Sequence, residues 1–178
     1  LSATTGVRTV EQLMQHINAH LCVSYDVRLL GGGQEPFYQA PKNGNPGRII
    51  FREDFIASAL HEVAHWCLAG SRRRCLDDYG YWYVEHRTHK EQLAFEQAEA
   101  RPQGLACLFS EAIGLSFVVS SDDPTRLPSQ RFVSSVFDAR DELETQLPPR
   151  AEHFIRPLTA TPCLNTGRAS QRSAGFEN

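Results

Sequence analysis

The stretch "ASALHEVAHWCLAG", residues 57–70, sets His61 and His65 four positions apart with Glu62 directly after the first. On an α-helix, residues four apart lie one turn above each other on the same face, so the two imidazoles can aim at one ion. Around them stand Phe55, Ile56, Ala59, Leu60, Val63, Trp66 and Leu68, which makes the helix apolar and predicts that it is buried. Polar groups in such a helix need partners, so Glu62 reads as a site carboxylate and not as a solvated surface charge. Asp54 is the expected N-cap and Gly70 the residue just past the C-terminal end, giving a helix over about 55–69.

Two histidines leave a metal short of ligands, and the sequence offers Glu96 and Glu99 in "FEQAEARPQ", three apart on one helical face. Glu99 is the expected ligand because it falls in the last turn before Pro102, and Glu96 is expected to orient a histidine or the ligand carboxylate from behind. His86, His89 and Glu91 stand in reserve, in a polar stretch expected to be a loop. Gln103, just past the proline, is a candidate for a hydrogen bond near the site.

Working outward, Thr9 with Gln12 forms a capping-box pattern, and Val10, Leu13, Met14, Ile17 and Leu21 follow at helical spacing, predicting a helix over about 9–22. "YDVRLL" (25–30) predicts a strand stopped by the glycines at 31–33, and "GRIIFRE" (47–53) a second strand after the turn-rich "PKNGNPG". Past the motif, "SRRR" (71–74) reads as a solvated basic segment at the negative end of the helix dipole, with an acidic partner as its other use. "YGYWYV" (79–84) is β-prone. "HKEQLAFEQAEA" (89–100) predicts a helix that kinks or ends near Arg101, and "QGLACLFSEAIG" one that resumes beyond it. "LSFVVS" (115–120) predicts a short strand, and Ser129 caps a helix carrying Phe132, Val133, Val136 and Leu143.

The fold class expected is α+β: a single domain over 1–157 with a short sheet packed against helices and a zincin-like metal helix, then a flexible tail over 158–178. The chain has 178 residues, 41% of them hydrophobic and 22% charged, enough apolar matter for one real core. Its formal net charge of -3 argues against a general nucleic-acid binder. Five cysteines without a CxxC pair, and no secretory apolar region at the start, point to reduced thiols in the cytoplasm. No apolar run approaches the roughly 20 residues that span a bilayer, and a monomer is expected.

Two histidines and a carboxylate serve two chemistries. With zinc they match a gluzincin-type peptidase in which Glu62 deprotonates the bound water. With iron(II) they form a facial triad whose open positions take molecular oxygen. A structural zinc site normally has four protein ligands, and Cys67, two past His65, points elsewhere.

Taken together, "FREDFIASALHEVAHWCLAG" (51–70), "RRRCLDDYGYWY" (72–83) and "FEQAEARPQGLACLF" (95–109) resemble the elongation factor P hydroxylase family. The similarity covers about residues 8–158, with "EPFY" and "RIIF" before the motif and "HFIRP" near the end. It implies a non-haem metal hydroxylase acting on one lysine of elongation factor P, the translation factor that relieves ribosomes stalled at polyproline, once that lysine carries a β-lysyl group. It also implies a peptidase-like helix-borne metal cradle in place of the double-stranded β-helix of other oxygenases. Carried over, His61, His65 and Glu99 are the ligands and Glu62 an acid/base or supporting group. "DYGYWY" would then line a channel for the long lysine side chain, Tyr81 and Tyr83 enclosing its stem and Asp78 meeting its amine, while the same residues also suit a core strand.

Overall fold

In a computed structural model of the chain, the described residues are 9–53, 55–78, 87–121 and 127–159, the side chains of Leu21, Cys22 and 157–159 excepted. Their elements run α1 (Val10–Tyr25), β1 (Val27–Gly33), β2 (Phe37–Gln39), β3 (Gly47–Arg52), α2 (Ile56–Leu68), α3 (His89–Ala112), α4 (Gln130–Thr145) and α5 (Pro149–Thr159), with a 3-10 turn at Arg73–Cys75. The architecture is α+β, a small sheet with helices against it.

The sheet order is β1-β3-β2, with β3 parallel to β1 and antiparallel to β2. Alternation along the strands decides its two faces: Val27, Leu29, Ile49 and Phe51 are buried against the helices, while Arg28, Arg48 and Arg52 point away and are exposed. The outer edge of β1 is closed by α1, since Asn18 Nδ2 donates to the Leu29 carbonyl at 3.0 Å and Asn18 Oδ1 accepts from the Leu29 amide at 2.7 Å. At the opposite edge, Tyr38 and Asp78 exchange backbone bonds of 2.7 and 2.8 Å.

The glycines at 31–33 do not stop β1; they lie inside it. The pairing register shifts between Leu30 and Gly33, and Gly32 takes φ 78°, so the run forms an irregularity that glycine accommodates. A Cβ at Gly33 would lie 2.7 Å from Ile50 Cγ2. β2 was not foreseen, being too short for a periodic signal.

The Thr9 capping box is present, and α1 runs on to Tyr25, past the expected end. Phe55, without a side-chain cap, occupies the N-cap of α2 in place of Asp54, which lies outside the described residues. The C-cap is Ala69. What satisfies that end is arginine: Arg74 Nη1 donates to the Ala69 carbonyl, and Arg150 Nη2 donates to the carbonyls of Cys67 at 2.7 Å and Ala69 at 2.5 Å. The basic "SRRR" segment is therefore partly built into the helix end, with Arg73 paired to Asp78.

α3 is one helix of 24 residues that contains Pro102 and does not end near Arg101. An interior proline costs about 3 kcal/mol. Burial on both sides of it offsets this, Phe95 and Ala100 before and Leu105, Ala106 and Phe109 after. The Thr88–Glu91 capping box starts this helix at His89, so His89 and Glu91 belong to its first turn and not to a loop. Residues 115–120 form no strand: the backbone of Ser120 is bonded instead by the Gln103 side chain. Ser129 caps α4, its hydroxyl accepting from the Phe132 amide at 3.1 Å. α5, also unforeseen, carries the chain past 157 to Thr159; residues 160–178 lie outside the described part, as does "YGYWYV" at 79–84.

Candidate metal centre

α2 and α3 pack side by side, with Leu60, Val63 and Ala64 of the first and Leu105 and Leu108 of the second in one core. That apposition sets His61 and His65, one turn apart on α2, against Glu99 on α3. The two Nε2 atoms are 3.1 Å apart, and Glu99 reaches His61 Nε2 with Oε2 at 3.3 Å and His65 Nε2 with Oε1 at 3.2 Å. The ligand atoms of all three residues lie within 4.8 Å of one another, a cluster that could hold a metal ion. Glu99 is almost wholly buried (5% of its side chain exposed), while His61 and His65 keep 28% and 26% open to the outside.

Burial, then the neighbouring His65, pull His61 down to about 4, so its imidazole is neutral around neutral pH and has a lone pair to give. Burial also pulls His65 down, but the hydrogen bond and charge of Glu99, with the charge of Glu62, outweigh it and the net shift is upward. For Glu99, burial pushes upward and is outweighed by the hydrogen bond and charge of His65, the charge of His61 and a hydrogen bond from Gln103, leaving the carboxylate below its ordinary range. Two nitrogens and an ionised oxygen converging from two rigid helices fit a divalent transition metal. The set is a poor home for calcium or magnesium, which take oxygen ligands.

Glu96, one turn before Glu99, is buried and turned elsewhere. It accepts from Gln92 Nε2 at 3.2 Å and from Ser129 Oγ at 3.1 Å, tying α3 to the cap of α4. Glu62 is half-buried beside the pair and acts on His65 through its charge. Asp78 meets Arg73 Nε at 2.5 Å, and Tyr81, Tyr83 and His86 fall outside the described residues. The Glu91 carboxylate is spent on its helix cap, accepting from the Thr88 amide at 2.7 Å. Cys67, which burial pushes up to about 12, is an inert core thiol.

The sequence had given Gln103 only a loose place near the site. It is buried (3% exposed), four residues after Glu99 on the same helical face, and that spacing was the available signal. Arg150 was missed altogether; it sits over the Trp66 ring at 5.3 Å and holds the end of the histidine helix, a contact between residues 83 apart that no local pattern announces.

Comparison with known proteins supplies the chemistry that this ligand set leaves open. The sequence pattern of the elongation factor P hydroxylase family matches residues 17–169. The chain belongs to this family. A curated relative, the elongation factor P lysine hydroxylase of Haemophilus influenzae, is 36% identical over 156 residues, which is 85% of this chain and 88% of the relative. The match takes in α2 and α3 and hence His61, His65 and Glu99.

Proposed function

We propose that this chain is a metal-dependent, oxygen-using hydroxylase of a lysine side chain on elongation factor P, the lysine being one that already carries a β-lysyl group. The carrying observation is the coincidence of family membership with a convergent His61–His65–Glu99 cluster. Membership of a hydroxylase family also weighs against the zinc peptidase that the same motif suggests. Within this reading the enzyme is cytoplasmic and monomeric and touches neither nucleic acid nor membrane; among the described residues no helix is long and apolar enough to cross one.

An iron(II) ion would be held by His61, His65 and Glu99 and, when bound, supply the activation of molecular oxygen. The protein's part is positioning. His61 enters as a neutral imidazole, while His65 must give up the proton that Glu99 favours. The partly open histidine faces leave a side on which a lysine carbon can be held, and the buried Glu99 closes the other. Glu62 holds or releases a proton beside His65. Glu96 supports Glu99 at a distance, through the α3–α4 tie that fixes the helix bearing it. Tyr81 and Tyr83 enclose the lysine stem, and Asp78 receives its amine in competition with Arg73.

The test is intact-mass analysis of β-lysylated elongation factor P incubated with the iron-loaded protein. A gain of one oxygen atom on the modified lysine, seen with oxygen and absent without it, is expected. Peptide cleavage supported by zinc in the absence of oxygen would establish the peptidase instead.

A further inference from the structure

The helices cover one face of the sheet, and the other face carries an ordered set of side chains that the site does not use. Read across β1-β3-β2, one row is Arg28, Arg48 and Gln39, and the next is Leu30, Ile50 and Phe37; beyond them Arg52 pairs with Gly33. An apolar row, half-buried along its length, thus lies between arginines. Arg28 and Arg48 are direct cross-strand partners, an arrangement of like charges that costs stability unless an anion lies between them. Neither has a carboxylate within ion-pair distance among the described residues, whereas Arg52 has Glu53 at 3.8 Å. Arg48 also lines a surface hollow of about 230 Å³ with Lys42, Gln39, Asn43 and Asn45. Two cationic residues and three carboxamide-bearing ones around one hollow are residue types that recognise anions, and they stand out on a chain whose net charge is -3.

We infer that this face is a docking surface for an acidic patch on the folded protein substrate: carboxylates meet Arg28, Arg48 and Lys42, and apolar side chains meet Leu30 and Ile50. The inference rests on the functional reading above in naming elongation factor P as that substrate. An apolar centre with an arginine-rich rim is the composition of protein interfaces, and charge complementarity at a rim raises the rate of encounter. The face is separate from the metal cluster, because β3 directs Arg48 and Ile50 outward and Ile49 and Phe51 inward toward the helices. Docking and chemistry are therefore separable by mutation.

The experiment compares the intact chain with Arg28→Glu/Arg48→Glu and Arg28→Gln/Arg48→Gln, exposed changes away from every candidate ligand, each checked for metal content and thermal melting. Binding of elongation factor P is measured at about 0.01 M and about 0.15 M salt, where the screening length falls from roughly 30 to 8 Å. Charge reversal should weaken binding about tenfold or more at low salt and less at high salt, with the glutamine pair in between. Metal content should not change, and hydroxylation of a short peptide bearing the modified lysine should equal that of the unaltered chain. Equal affinity of all three proteins at low salt overturns the inference. So does binding of RNA, but not of elongation factor P, that is lost on charge reversal. Binding that falls as stated, in a protein that never hydroxylates, sinks the functional reading and leaves the docking face standing.

Discussion

Gln103 holds the backbone of Ser120 with both ends of its carboxamide, Nε2 donating to the carbonyl at 2.7 Å and Oε1 accepting from the amide at 3.0 Å. It lies four residues after Glu99 on the same helical face and helps to keep that carboxylate below its ordinary range, so one buried side chain joins an irregular segment to the helix that carries the candidate ligand. Gln103→Leu keeps the bulk and removes these bonds. The expected result is metal binding weakened by about tenfold or more, the usual cost of losing a group that orients a ligand. Metal titration showing unaltered affinity in the variant would confine Gln103 to a scaffolding role.

The two buried glutamates separate in the same assay. Glu99→Gln should abolish tight binding, since it removes the charged ligand atom of the cluster. Glu96→Gln should retain the ion and lose about 1 kcal/mol of stability, because its bonds run to Gln92 and Ser129. Loss of the ion from the Glu96 variant alone would exchange the two assignments.

Helix packing sets the next expectation. A Cβ on Gly104 would lie 2.8 Å from the Arg140 amide nitrogen and 2.9 Å from the Val136 carbonyl oxygen, both backbone atoms of α4. Alanine is the better helix former by about 1 kcal/mol, yet overpacking of this kind costs about 1–3 kcal/mol. Gly104→Ala should therefore lower the melting temperature; a rise would show that α4 gives way freely.

Proton release follows from the shifted histidines. His61, held at about 4, is already neutral at pH 6 to 8 and sheds nothing when an ion binds. His65, raised by Glu99, is protonated below its shifted pKa and must lose that proton to become a ligand. Metal binding should release about one proton at pH 6, and fewer as pH rises through the His65 value, with affinity increasing over the same range. Without metal, the raised His65 stabilises the fold below the unfolded histidine value for as long as Glu99 stays ionised, and that contribution is lost as pH rises through the folded His65 value. Calorimetric titration in buffers of different ionisation enthalpy measures the count. Two protons at pH 6 would mean that His61 is charged as well.

The convergent cluster was legible because its parts obey local rules. His61 and His65 announce themselves by helical spacing in an apolar run, and Glu99 by its turn before Pro102. The capping patterns at Thr9 and Ser129 were equally readable. What was missed depends on distant partners. Of the two outcomes expected at Pro102, a kink or an end, the end does not occur, because burial on both sides carries the helix through it. "LSFVVS" has strand composition, but Gln103 supplies its hydrogen bonds where a neighbouring strand was expected. The glycines of β1 read as a stop because the close approach of Gly33 to Ile50 exists only once β3 is alongside.

In the proposed hydroxylase, this cluster directs oxygen chemistry to a lysine of elongation factor P. This role is tested most directly by running the iron-loaded reaction under isotopically heavy oxygen gas in ordinary water and mapping the product by fragment mass spectrometry. One heavy oxygen atom is expected on the β-lysylated lysine, absent with His61→Ala or Glu99→Ala and absent when zinc replaces iron. A product carrying oxygen from water, or full labelling by either ligand variant, would contradict it.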